Sequence, residues 1–235
     1  MTKISVMSPI HNEEGNIREL VRRTTGTMRR CCGSDWEFLL VDDLSTDSSY
    51  RIMKELAKGN KNLVVLQNKK KSGQTGCFQN AFDNAKGSII ITMDGDLEVF
   101  PEDLPLFIDK ILNHDYDVVN AIREQRRHPF FIKLASRIYY VLMLLFFDCP
   151  VHDSASNYTA IKIEFVRNLK MKGNDHRYII PLVMSRGAKK IGEVVIRHAR
   201  RTSGKSKYKA LPKFIKGFPE IFIFWAKFKM GLYKR

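Results

Sequence analysis

The sequence predicts an α/β fold, a mostly parallel sheet flanked by helices with a basic amphipathic C-terminal segment. Three observations point to it. Short apolar runs alternate with amphipathic stretches of helical length through residue 123 or so, which is the pattern of βαβ units. Several of those runs end in acidic residues, at the place where open parallel sheets bind ligands. The last fifty residues are rich in Lys, Arg and aromatic side chains.

Taken in order, "KISVMSPI" reads as a buried strand, followed by a helix from about Glu13 to Arg30. "EFLLVDD" is a second strand with a helix after Asp47, and "NLVVLQN" a third with a helix from about Gln74 to Lys86. "SIIITM" is a fourth, after which Pro101, Glu102 and Asp103 give the next helix a typical start. "DVVNAI" is a fifth. No internal repeat or low-complexity linker interrupts the chain.

The 235 residues, 44% hydrophobic, suffice for the core of one large domain. The net charge is +15, and from Arg186 onward fifteen Lys and Arg face two acidic residues, Glu193 and Glu220. Such a tail suits nucleic acid, an anionic membrane surface or phosphorylated substrates. "KFIKGFPEIFIFWAKFKMGLYKR" carries no RRM, KH or zinc-knuckle pattern, so an amphipathic segment lying on anionic lipid is favoured and nucleic acid is not expected. The apolar run 138–147 is half the ~20 residues needed to span a bilayer. Four cysteines, with Cys31 and Cys32 adjacent, have neither metal nor disulfide-framework spacing. With no signal peptide read at the start, a reduced cytoplasmic setting is expected.

Three strand ends deliver the candidate site: Pro9 with Asn12 and Glu13, then Asp42 and Asp43, then Asp94, Asp96 and Glu98. No G-x-G-x-x-G follows the first strand, which argues against a dinucleotide oxidoreductase. "GKS" at 204–206 is no P-loop, because Ala199 stands where the motif needs its first glycine. In an extended segment alternate residues point the same way, so Asp96 and Glu98 are expected to converge on one cation with Asp94 beside them. Carboxylate oxygens without His or Cys suit Mg²⁺ or Mn²⁺, which share their shell with substrate phosphates and act as Lewis acids toward a departing diphosphate.

"SPIHNEEGNI", "VDDLSTDSS", "KKSGQTGCFQNAFDNAKGSIIITMDGDLEVFPEDLP", "AIREQRR" and "RHARRTSGKSKY" occur in an order that resembles the family-2 glycosyltransferases of the GT-A fold. The similarity is to the dolichyl- and polyprenyl-phosphate sugar synthase branch, of the dolichol-phosphate mannose synthase kind, and runs from about residue 3 to 210. It implies a GT-A domain over 1–210, with a nucleotide-sugar half to about 122 and an acceptor half from 123, and a membrane-associating tail over 211–235. It also implies inverting transfer of a sugar from a GDP- or UDP-sugar to a polyprenyl phosphate at the cytoplasmic membrane face.

By the same resemblance, Pro9, His11, Glu13, Val41, Asp43, Asp94 and Gly95 border the nucleotide, and Arg177 reaches the donor. His11 replaces the tyrosine usual there, and Glu98 a glutamine. Asp96 binds diphosphate and metal, with Glu98 as the second metal ligand. Arg123 and Arg137 bind the acceptor phosphate, while Arg201, Ser206 and Lys207 belong to a loop that closes over the diphosphate. Arginine forks suit phosphate oxygens. An anionic phosphate oxygen needs no general base, so proximity and electrostatics are expected to carry the reaction. A saccharide hydroxyl acceptor is the alternative, with Asp175 as a conceivable base. A membrane-bound scaffold without turnover is another. Membrane contact is expected through the tail or a membrane partner protein, with a homo-oligomer also admitted.

Overall fold

The computed structural model describes residues 3–123, 130–153, 156–197 and 210–233, the side chains of 130–136 and 210–218 excepted. Its strands are β1 (Ile4–Ile10), β2 (Trp36–Asp42), β3 (Leu63–Gln67), β4 (Ile89–Thr92), β5 (Val118–Arg123), β6 (Thr159–Lys162) and β7 (Ile191–Ile196). Its α-helices are α1 (Ile17–Cys32), α2 (Ser49–Lys58), α3 (Gly73–Asn84), α4 (Leu104–His114), α5 (Phe130–Phe147), α6 (Ile179–Ser185) and α7 (Ala210–Lys229). The strands form one sheet in the order β3-β2-β1-β4-β6-β5-β7. β6 alone among them runs antiparallel to its neighbours, so the other six all point their carboxyl ends the same way.

The sheet is buried on both faces because the apolar runs are continuous. All seven residues of β2 are buried. Phe38 and Leu40 join Ile4, Val6 and Ile91 under α1, α2 and α4, while the intervening Leu39 and Val41 join Met7 and Ile90 under α3, α5, α6 and α7. α1 buries Ile17, Leu20, Val21, Thr24 and Met28, a spacing that lines one helical face. Its Glu19 and its Arg29 and Arg30 lie at the ends favoured by the helix dipole, and Gly33, at φ 58°, ends it in the left-handed region.

The expected elements are present with shifted ends. The first helix begins at Ile17 rather than Glu13, because residues 13–16 form a turn in which Asn16 N–H donates to Glu13 O (2.9 Å). Pro101–Asp103 is a single 3-10 turn leading into α4. The apolar run 138–147 lies in α5 and divides its side chains, Met143 and Phe147 entering the core and Val141 and Leu145 facing outward.

α7 does not stand off from the domain. Ile221, Phe224 and, just past the helix, Tyr233 are buried in the core layer with Phe147 and Tyr178. Phe224 stacks on Tyr178 at 4.1 Å between ring centroids and 11° between planes. Its opposite side leaves Phe222 and Ile223 exposed. No described helix is long and apolar enough to cross a membrane. Replacing Phe224 by Ala should destabilise the whole domain by about 3–5 kcal/mol in urea unfolding monitored by circular dichroism. A loss under about 1 kcal/mol would mean that α7 contributes little to the fold.

Candidate active site

The strand order reverses between β1 and β4. α1 and α2 lie on one face of the sheet and α3 on the other, which opens a crevice at the carboxyl ends of β1 and β4. β4 ends at Thr92, and the acidic segment after it is a turn, not a continued strand. Leu97 has φ 61°, and Asp96 Oδ1 accepts the Glu98 N–H at 3.1 Å. The expected convergence of Asp96 and Glu98 by strand alternation is therefore corrected: the segment is a bend, and the contact between the two residues runs from the Asp96 carboxylate to the Glu98 backbone. Gly95 is required, since a Cβ there would lie 2.7 Å from Ile10 Cδ1 and 3.2 Å from Pro9 O. The missing side chain lets the acidic turn pack under the end of β1.

Asp94 lies deepest. Burial first, then the Asp96 charge, push its carboxyl up to about 6, with Glu98 adding to the rise and Asn157 and Arg123 opposing it. Asn157 is a residue the sequence reading missed. β4 and β6 pair in antiparallel register with Thr92 opposite Thr159, so two steps on Asn157 faces Asp94. Its Nδ2 donates to both Asp94 oxygens, at 3.2 and 3.4 Å, and Gln74 Nε2 donates to Oδ1 at 3.3 Å. Only the pairing of β6 beside β4 reveals this contact, and no local pattern around Asn157 signals it.

The oxygen donors within reach of the crevice here are carboxylates without His or Cys, and two of them suit a hard divalent cation that fills the rest of its shell with water and phosphate oxygens. Asp96 and Glu98 would hold it, and it would supply charge neutralisation for a leaving diphosphate. Among the described residues, no three His, Cys, Asp or Glu side chains converge as a metal site, the acidic turn 94–98 included.

Just past the end of β2, Asp43 commits its carboxylate to the start of α3. Oδ1 accepts from Ser72 N–H and Asn68 Nδ2 at 2.8 Å each, and Oδ2 accepts from Gly73 N–H at 2.8 Å. It satisfies the free N–H groups at the start of that helix. Val41 is fully buried, so its side chain belongs to the core and its carbonyl accepts from the Cys77 thiol. His11 Nδ1 lies 3.1 Å from Asp43 O and Nε2 lies 3.1 Å from Lys71 Nζ. A lysine needs an acceptor there, so Nδ1 carries the proton toward Asp43 O. Glu13 accepts from Asn16 Nδ2 at 2.7 Å.

Arg177 is turned to α7, its Nη1 at 2.9 Å from Glu220 Oε2. Neighbouring Asp175 is buried and accepts from Tyr233 Oη at 2.9 Å and Lys172 N–H at 2.8 Å, which leaves it no position as a base open to an acceptor. Arg123, at the end of β5, grips Asp153 in a fork, Nε to Oδ2 at 2.6 Å and Nη2 to Oδ1 at 2.7 Å. Arg137 is exposed on α5. Arg126, Arg127, Arg201, Ser206 and Lys207 lie outside the described residues.

A doubly wound sheet with an acidic turn at its switch point and arginines beyond it is the GT-A form of the Rossmann-like α/β fold. The solved structure of glucosyl-3-phosphoglycerate synthase from Mycobacterium tuberculosis, in complex with Mn²⁺, UDP and glucosyl-3-phosphoglycerate, is similar with a TM-score of 0.71. The match has 17% identity and covers 95% of this chain and 80% of that one. The same enzyme with Mg²⁺ and UDP matches with a TM-score of 0.65 at 18% identity, over 87% and 73% of the two chains. The family model "Glycosyl transferase family 2" matches residues 5–170, and the chain belongs to that family.

Among curated relatives, undecaprenyl-phosphate 4-deoxy-4-formamido-L-arabinose transferase of Salmonella paratyphi B is 31% identical over 207 residues. The match covers 88% of this chain and 62% of that protein, so the chain spans under two thirds of the relative's length. The Salmonella paratyphi A protein of the same name is 30% identical over the same extents.

Replacing Asp43 by Ala should strand two backbone N–H groups and cost about 2–4 kcal/mol in urea unfolding, with weaker nucleotide binding by calorimetry. Full stability in the variant would show that α3 does not depend on it.

Proposed function

We propose that the protein is an inverting glycosyltransferase that moves a sugar from a nucleotide-diphospho-sugar to the phosphate of a polyprenol. The observation that carries this reading is the position of the two charge sets on one crevice. The acidic turn 94–98 follows β4, and Arg123 ends β5, both at the carboxyl edge of the sheet. A diphosphate held through a divalent cation at Asp96 and Glu98 then faces a phosphate held by cations from β5 and α5. The printed names of the relatives, transferases using undecaprenyl phosphate, support the acceptor. The UDP, Mn²⁺ and Mg²⁺ in the structures of the similar fold support a metal-dependent nucleotide-sugar donor, UDP- or GDP-linked.

The chain's own residues have separate tasks. Asn157 and Gln74 orient Asp94, while Gly95 seats the acidic turn against β1. Pro9, His11, Glu13 and the Asp43-anchored start of α3 form the nucleotide wall. Arg123 and Arg137 draw the acceptor phosphate, and Arg177 reaches the donor after leaving Glu220. Arg201, Ser206 and Lys207 close over the diphosphate. An acceptor phosphate is already anionic near neutral pH, its second pKa being about 6, so orientation and charge stabilisation suffice.

The division into a GT-A body over 1–210 and a basic tail over 211–235 that meets the cytoplasmic face of an anionic membrane is part of the same reading. Phe222 and Ile223 on α7, with Val141 and Leu145 on α5, are exposed, and Phe146 contacts Phe222 across the two helices at 5.4 Å between ring centroids. Lys227 and Lys229 lie in the last turn of α7. Apolar groups beside lysines suit anionic lipid.

Incubation with a panel of UDP- and GDP-sugars, Mn²⁺ or Mg²⁺ and polyprenyl phosphate should yield lipid-extractable sugar, falling at least about a hundredfold in Asp96→Ala. Donor binding without transfer to lipid under any of these conditions would refute the acceptor. Binding to vesicles with 30% anionic lipid, an assay composition of about that value, should drop roughly tenfold in the double variant Phe222→Ser, Ile223→Ser while the melting temperature holds. Unchanged vesicle binding would remove α7 from the membrane contact.

A further inference from the structure

Beside the arginine pair lies an imidazole that neither the fold nor the family assigns. His152, in the loop between α5 and β6, is largely exposed at its side chain, 67%. Glu193 of β7 holds it twice, Oε1 accepting the His152 backbone N–H at 2.8 Å and Oε2 lying 2.7 Å from Nδ1. Tyr140 of α5 stacks on the ring at 5.3 Å between centroids and 5° between planes. One edge and one face of the ring are thus held, and Nε2 has no hydrogen-bond partner among the described residues. The next residue, Asp153, is the one that grips Arg123. Arg137 precedes Tyr140 by three residues, and so stands on the same side of α5.

Glu193 from β7 is the charge in contact with His152, the Arg123–Asp153 pair begins at the next residue of the loop, and Arg137 stands on the Tyr140 side of α5. Cys149 is also near, its thiol pushed up to about 11 chiefly by burial with a contribution from Glu193, and so carries no charge at neutral pH. With His152 neutral, two arginines face two carboxylates and the group has no net charge. One proton on the ring leaves a net positive charge, with Nδ1–H on Glu193 and Nε2–H pointing outward. Arg123 has also committed Nε and Nη2 to Asp153, so a dianionic phosphate has few donors without the imidazole.

We propose that protonated His152, oriented by Glu193 and Tyr140, is a third acceptor-phosphate contact beside Arg123 and Arg137. This rests on the polyprenyl-phosphate reading above, because it names a residue of that acceptor site. His152 and Glu193 are binding and positioning groups respectively, and no proton leaves the acceptor in this scheme.

The test measures kcat/KM for polyprenyl phosphate from about pH 6 to 8.5, across the range where imidazoles titrate, in wild type, His152→Gln and Glu193→Gln. In wild type the value should fall with rising pH by about ten- to hundredfold, the size of a charge-assisted hydrogen bond. His152→Gln should be low at pH 6, lack that fall, and meet wild type at the alkaline end. Glu193→Gln, which loosens the ring, should raise KM for polyprenyl phosphate at pH 6, with KM for the nucleotide-sugar unchanged in both variants. A gap between wild type and His152→Gln that is the same at every pH overturns the inference while transfer to the lipid leaves the function standing. Absence of transfer in wild type at every pH removes the function and the inference with it.

Discussion

Like charge gathered at the end of β4 is the constraint on which the rest of the crevice depends. Asp94, Asp96 and Glu98 fall within five residues, and the pressure between them shows in the Asp94 carboxyl, pushed up to about 6 by burial and by its neighbours. A chain that keeps such a turn must hold it from outside. β1 does so by accepting the bare Gly95 against Pro9 and Ile10, and β6 by presenting Asn157 to Asp94. Both supports require the strand order β1-β4-β6, so the antiparallel insertion of β6 serves the site as well as the sheet.

The cationic side follows a different rule. Two of its arginines are held by carboxylates, Arg123 by Asp153 and Arg177 by Glu220, while Arg137 is exposed. A guanidinium tied to a carboxylate is kept in a defined place without the cost of a long side chain ordered at the moment of binding. Glu220 gives this a reach beyond the crevice, since it belongs to α7, whose inner face packs into the core and whose outer face is apolar.

The α/β class, the five early strands and the acidic strand ends were legible in the sequence because each has a local signature: continuous apolar runs, helical spacing, and like charge at short intervals. The turn at 94–98 was not, because alternation along a strand was extended past Thr92 as far as Glu98, where the backbone in fact bends at Leu97. Asn157 and His152 were invisible for another reason. Each gains its meaning from a residue 63 or 41 positions away along the chain, Asp94 and Glu193, brought close by strands that pair out of sequence order. The role of Asp43 as an anchor for α3 was hidden in the same way, its carboxylate reaching 29 and 30 positions on to Ser72 and Gly73.

The C-terminal helix joins these strands of argument. Charge counting alone reads residues from 211 on as a basic appendage, but α7 is amphipathic in two senses at once. Ile221, Phe224 and the following Tyr233 belong to the core layer, and Glu220 and Tyr233 reach the turn Asp175–Tyr178. That turn is fastened in its own right to α3, where Thr75 Oγ1 lies 2.7 Å from His176 Nδ1, one residue from the Gln74 that touches Asp94. A helix anchored this way cannot drift from the body without uncovering apolar surface, at a cost of about 25 cal/mol per Å². Whatever its outer face meets is therefore held at a fixed distance from the crevice, as the proposed acceptor would require, with its phosphate in the site and its hydrocarbon outside.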